Sequence, residues 1–229
     1  MRTIGGRYAI EGQIGEGGMG LVYRVRHTQL AKHFALKVIA PAFATDAKAR
    51  ERFNVEAQLA SEISHPNIVS VVDFGEDDEL GAYMVMELVE GEPFLFAEGS
   101  SPLSVRRALD VLAQVADALD HIHKRGVIHG DIKAENLILA EEPVAAGTRR
   151  RRIVRLLDFG LAKRFGTQDT ELNGTPHYLA PERCTGGVAS VASDIYALGV
   201  LGYLLLTRTM PFDGNLAQIL DAHVREAPP

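Results

Sequence analysis

The sequence predicts an α+β fold in two lobes: a small antiparallel β-sheet lobe with one helix, then a larger, mainly α-helical lobe. Three observations predict it. Residues 8–14, 21–26, 34–39, 68–74 and 82–87 are short runs rich in β-branched and aromatic residues, as strands are. One helical segment interrupts them and opens near Thr45-Asp46, where a polar side chain can cap it. From Ser104 onward the period changes, and Leu112, Val115, Ala116, Leu119 and Ile122 recur at helical steps. The change falls near residues 87–91, so we expect a sheet lobe over 8–87, a connector over 88–91 and a helical lobe over 92–229. A ligand cleft between two lobes is a common arrangement.

Later segments follow the same logic. Residues 191–206 are apolar on nearly all sides, which predicts a helix buried in a core. Residues 215–225 read as a further helix, whereas residues 92–101, with Phe94 and Phe96, show no clear helical pattern. Residues 141–152 run acidic, then small, then arginine-rich. They read as a solvated hairpin, with an anionic docking patch as the alternative.

Composition narrows the function classes. With 229 residues, 46% hydrophobic and 24% charged, the chain suits an ordinary globular domain or two-lobed unit. A net charge of −6 gives no reason to expect nucleic acid or an anionic membrane as the main partner. Cys184 is the single cysteine, so no internal disulfide forms and a reducing compartment fits. Nothing beside it in sequence argues for a thiolate. Residues 1–6 hold no signal-peptide core, and the longest apolar stretch, residues 196–206, is too short for a membrane span. These features point to a cytoplasmic protein, or to the cytoplasmic part of a longer membrane-anchored one.

The chemistry lies in an ordered series of polar residues. Gly15, Gly17, Gly18 and Gly20, with Glu16, lie between two strand candidates. Glycine lets backbone N–H groups approach a phosphate, although an ordinary glycine-rich hairpin looks the same in isolation. Ile14 and Val22 flank the loop where they can cover an aromatic base. The strand-loop-strand setting argues against a dinucleotide-binding fold, which needs strand-loop-helix. Strand alternation puts Ala35, Lys37 and Ile39 on one face, opposite Phe34, Leu36 and Val38. A lysine among apolar residues is costly to bury unpaired. Glu56 is the matching anomaly, on one helical stripe with Phe53, Ala60 and Ile63. Pairing Lys37 with Glu56 resolves both; a snorkelling lysine and a rim glutamate are the alternative.

Further on, His129-Gly130-Asp131-Ile132-Lys133-Ala134-Glu135-Asn136 lies between the apolar runs Val127-Ile128 and Leu137-Ile138-Leu139. Asp158-Phe159-Gly160 and Ala180-Pro181-Glu182 follow. Asp131 is a candidate base, and Asn136 and Asp158 offer oxygen ligands suited to Mg²⁺. Taken singly, Asp131 and Asp158-Phe159-Gly160 are also ordinary turn signals.

The whole series, in this order, resembles the catalytic domain of bacterial serine/threonine protein kinases related to the eukaryotic ones, from about Tyr8 to the end of the chain. The resemblance implies a bilobal protein-kinase-like fold, ATP and Mg²⁺ as cofactors, and a protein Ser/Thr hydroxyl as acceptor. It implies that Lys37, positioned by Glu56, holds the ATP phosphates. Asp131 then acts as base, Lys133 neutralises the γ-phosphoryl group, and Asn136 and Asp158 bind metal. Thr175, within Gly174-Thr175-Pro176-His177-Tyr178-Leu179, would help Asp131 and Lys133 hold the acceptor hydroxyl. Ala35, Met86 and Ile138 would line the adenine site, with hinge hydrogen bonds from the Glu87 to Val89 backbone. Glu90 is a candidate for the ribose. Asp194 would anchor the catalytic-loop backbone, or simply cap its helix. A homodimer is a candidate assembly.

Two features depart from the family pattern. Gly130 stands where the motif carries an arginine that helps receive an activation-segment phosphate. Thr167 and Thr170 are the candidate phosphoacceptors there, but Asp169 and Glu171 would repel an added phosphate. We therefore expect activity that needs no phosphorylation at that segment. The region that supplies an arginine partner for Glu182 is also missing, so we expect a C-terminally incomplete domain. Two other readings compete: a pseudokinase that binds nucleotide without turnover, and a small-molecule kinase of related fold.

Overall fold

The computed structural model describes residues 2–17, 20–40, 46–97, 99, 101–143, 150–159, 162–167 and 174–229. The chain divides into two compact units, Met1–Ser64 with Val69–Val89, and His65–Ile68 with Glu90–Pro229.

The first unit is a six-stranded antiparallel sheet with one helix. In chain order its elements are β1 (Thr3–Ile4), β2 (Tyr8–Gly17), β3 (Gly20–His27), β4 (His33–Ile39), α1 (Ala47–Ser61), β5 (Val71–Asp77) and β6 (Gly81–Glu87). The spatial order is β1-β2-β3-β4-β6-β5. Alternation along β4 divides its side chains as the sequence predicts. Phe34, Leu36 and Val38 pack with Ile4, Tyr8, Val25, Tyr83 and Val85 on one face. Ile39 packs on the other, with Phe53 and Ala57 of α1 and with Ala82 and Met84. Asp46 caps α1, its carboxylate accepting from the backbone N–H of Lys48 at 2.9 Å.

The second unit is mainly helical. It begins with β7 (Gly91–Pro93), α2 (Phe94–Ala97) and α3 (Val105–His123). Next come β8 (Val127–Ile128), β9 (Leu137–Pro143), β10 (Arg150–Leu156) and β11 (Lys163–Arg164). It closes with α4 (Pro181–Cys184), α5 (Val191–Thr207) and α6 (Leu216–Arg225). Ser190 and Asn215 each begin a capping box, for α5 and α6. β9 and β10 form the expected antiparallel hairpin, and Arg151 and Arg152 stand opposite Glu142 and Glu141. That cross-strand register offsets the arginine charge and argues against an anionic docking patch.

Four local readings change. The strand expected over 68–74 starts only at Val71. Ile68 instead bridges Leu156, and Asn67 Nδ2 donates to Gln114 and to the Val154 carbonyl, so residues 65–68 join the second unit. β1 was not legible because two residues carry no period, yet Ile4 is fully buried. α2 is one turn, too short to show a helical pattern, and is anchored by the fully buried Phe94. α5 is not buried all round, since Val191, Ile195 and Leu206 stay exposed. No helix among the described residues is long and apolar enough to cross a membrane.

Candidate functional site

In the first unit, the β2–β3 hairpin carries the glycine loop. Gly15 stands opposite Val22, Glu16 opposite Leu21 and Gly17 opposite Gly20; Gly18 lies outside the described residues. Gly20 has a steric reason to be glycine, because a Cβ there would collide with the Val38 carbonyl oxygen. The ladder continues across the sheet, with Val22 opposite Lys37 and Lys37 opposite Met84. Ala35 stands opposite Met86, and Phe34 opposite Glu87. Directly opposed residues share a face, so Val22, Ala35, Lys37 and Met86 share one surface. Ile14 is half exposed, while Met86, Glu87 and Val89 are half-buried.

Lys37 is 8% exposed and Glu56 5%. Lys37 Nζ donates to Glu56 Oε1 at 2.8 Å. The snorkelling alternative therefore fails, and the two sequence anomalies compensate each other.

In the second unit, three polar side chains converge on one carboxylate, that of Asp131. Lys133 Nζ lies 2.7 Å from Asp131 Oδ2 and donates to Thr175 Oγ1 at 3.0 Å. The Thr175 hydroxyl points to Asp131 Oδ1 at 3.4 Å. Asn136 Nδ2 donates both to the Asp131 carbonyl at 2.9 Å and to its Oδ2 at 3.1 Å. The amide nitrogen of Asn136 is thus committed, which leaves its Oδ1 without a partner among the described residues.

Asp194 explains why this loop holds its shape. Its carboxylate is 1% exposed and accepts from the backbone N–H groups of His129 at 2.9 Å and Gly130 at 2.8 Å. His123 Nε2 lies 2.8 Å from the same group. Ser190, not Asp194, is the helix cap, so the anchoring role stands. Gly130 adopts φ +78°, a left-handed conformation that costs glycine little. The family's arginine position here thus suits glycine on backbone grounds.

Asp158 is exposed and also left-handed, at φ +58°. Phe159 beside it is buried and lies against the His129 ring, with centroids 5.2 Å apart. His129 is fully buried, and burial pushes its imidazole below the ordinary histidine range. Ile138, in β9, is half-buried and stands opposite Pro93. Glu90 is exposed.

Sequence reasoning missed two supporting residues. His123 lies four residues beyond Leu119 on the apolar stripe of α3, and that position was the available signal. Tyr178 accepts from the Ala134 N–H at 3.4 Å, and burial pushes its phenol up. Glu182 is half-buried, so its lack of an ion pair among the described residues carries a small penalty. Cys184 is half-buried with its thiol pushed up by burial, as suits a bystander.

Residues 8–227 match the family model described as protein kinase domain. The chain is 38% identical over 237 residues to the serine/threonine-protein kinase PknA of Mycobacterium tuberculosis (strain ATCC 25618 / H37Rv), an alignment covering 99% of this chain and 53% of that protein. It is 39% identical over 223 residues to PrkC of Bacillus subtilis (strain 168), covering 94% and 33%. It is 38% identical over 234 residues to pkn2 of Myxococcus xanthus, covering 99% and 27%. The chain thus spans about half the length of these relatives or less.

Proposed function

The chain belongs to the protein kinase domain family, and from that premise we propose that it transfers the γ-phosphoryl group of ATP to a serine or threonine hydroxyl of a protein. The observation that carries this reading is the convergence of Lys133, Thr175 and Asn136 on Asp131. Loose phosphoryl transfer asks little covalent help of a protein, so positioned charge suffices. The acceptor hydroxyl sits against Asp131, which orients it and takes its proton as oxygen bonds to phosphorus. The bond from the γ-phosphorus to the bridging oxygen breaks, and ADP leaves with that electron pair. Lys133 offsets the charge of the moving group, and Thr175 keeps Lys133 and Asp131 in register.

Lys37, held by Glu56, binds the ATP phosphates. Ile14, Gly15, Glu16, Gly17, Gly18, Gly20 and Val22 cover the nucleotide, and Ala35, Met86, Glu87, Val89 and Ile138 border its base. The metal donors fit Mg²⁺: an exposed Asp158 carboxylate and an Asn136 amide whose nitrogen is already engaged and whose oxygen is open. When bound, Mg²⁺ neutralises the phosphate oxygens and fixes their orientation.

Nucleotide-induced thermal stabilisation, measured beside ATP turnover with a protein acceptor and with a panel of metabolites, tests the reading. We expect stabilisation and turnover that depends on the protein acceptor. Stabilisation without turnover would make the chain a nucleotide-binding module, and turnover on metabolites alone would make it a small-molecule kinase.

A further inference from the structure

His223 is a buried histidine that the chemistry above does not use. It lies near the end of α6 and is 3% exposed. Two aromatic rings enclose it edge-on: Tyr196 of α5 at 5.6 Å and Phe212 at 5.0 Å between centroids. The Tyr196 hydroxyl lies 2.8 Å from His223 Nδ1. Burial lowers the proton affinity of His223, so the ring is neutral near neutral pH. With Nδ1 accepting from Tyr196, the proton sits on Nε2.

Nε2 is buried and makes no hydrogen bond of good geometry among the described residues. A buried polar nitrogen left unpaired is costly. α6, which carries His223, packs against the segment Pro176–Tyr178, and the main chain of Pro176 and His177 raises the proton affinity of the ring. Pro176 opens the short 3-10 turn Pro176–Tyr178. Thr175 immediately precedes that turn and donates toward Asp131. The His223 ring therefore belongs to the helix that packs behind the segment that sets Thr175.

Taking the kinase reading as its basis, we propose that His223 is a positioning residue for the acceptor-binding segment: its Nε2–H backs the Pro176–His177 main chain, and so sets Thr175 against Lys133 and Asp131. Tyr196 fixes the tautomer, and Phe212 fixes the ring plane. His223 touches neither nucleotide nor acceptor. Its removal changes how an acceptor is held, not how ATP is held.

Steady-state kinetics of the 229-residue chain with ATP and dephosphorylated casein test this. His223→Phe keeps the ring volume and loses both nitrogens. His223→Gln places an amide donor near the Nε2 position, and His223→Asn reaches only the Nδ1 position. We expect KM for casein to rise roughly five- to tenfold in the Phe and Asn variants. We expect the Gln variant to stay within about twofold of the parent, and KM for ATP to stay unchanged in all three. A purely structural role would lower the amount of active enzyme, hence apparent kcat, and leave KM for casein alone. An unchanged casein KM in a folded Phe variant overturns the proposal. If the Phe variant does not fold, equal casein KM values for Gln and Asn overturn it. Absence of transfer by the unsubstituted chain would instead defeat the kinase reading, which separates the two failures.

Discussion

Replacing Glu56 by leucine isolates the energetics of the buried pair. At the observed 2.8 Å separation, an effective dielectric of about 20 gives roughly 6 kcal/mol of gross attraction between Lys37 and Glu56. Desolvation of two residues that are 8% and 5% exposed offsets most of it. Removing one partner forfeits the attraction but leaves the other charge buried, at a cost of about 3–5 kcal/mol. For a chain of this size that lowers the melting temperature by roughly 6–20 °C. The double variant Lys37→Met/Glu56→Leu removes both charges, so most of the stability should return while ATP turnover does not. Thermal melting of the two single variants and the double variant measures the coupling directly. A Glu56→Leu variant that melts within about 2 °C of the parent would refute the reasoning, because a shift that small falls under 1 kcal/mol. So would a double variant no more stable than the worse single one, since coupled neighbours are non-additive.

Three further outcomes are expected. Gly130→Arg places a side chain at φ +78° and should cost about 1–2 kcal/mol, read as a lower melting temperature; an unchanged melt would mean the backbone is not held left-handed by Asp194. Successive Thr167→Ala and Thr170→Ala changes should leave kcat nearly intact, and a loss above about tenfold, some 1.4 kcal/mol of barrier, would contradict phosphorylation-independent activity. His129 and His223 both have folded-state proton affinities depressed by burial from 6.5. The unfolded chain therefore binds protons that the folded chain refuses. Their stability contribution is fully present above about pH 6.5 and is lost as the pH falls below it, at up to about 1.4 kcal/mol per pH unit for each group. Melting temperatures from pH 7.5 to 5 should fall accordingly, and His223→Gln should flatten the slope; a flat parent profile would contradict the burial argument.

Much of the site was legible because each piece breaks a local rule. Lys37 is a charge in an apolar strand and Glu56 a charge on an apolar helical stripe, and the structure joins them. Asp131, Lys133 and Asn136 fall within six residues of sequence, so their convergence needs only one pinned loop. What sequence could not decide was contact through space. Asp194 looked equally like a helix cap, and only its reach to the His129 and Gly130 amides distinguishes the roles. Tyr196, Phe212 and His223 each look ordinary on their own elements, and their cluster exists only once α5 and α6 pack. β1 and α2 were lost for a different reason, since elements of two and four residues carry no period to read.

The most direct measurement is transfer from ATP labelled at the γ-phosphate, in Mg²⁺, to dephosphorylated casein, with Asp131→Asn in parallel. The account predicts label recovered on serine and threonine side chains, with a rate at least about 100-fold lower in Asp131→Asn and nucleotide binding retained. Label transfer unaffected by Asp131→Asn, in protein whose Lys37→Met variant is also active, would contradict it.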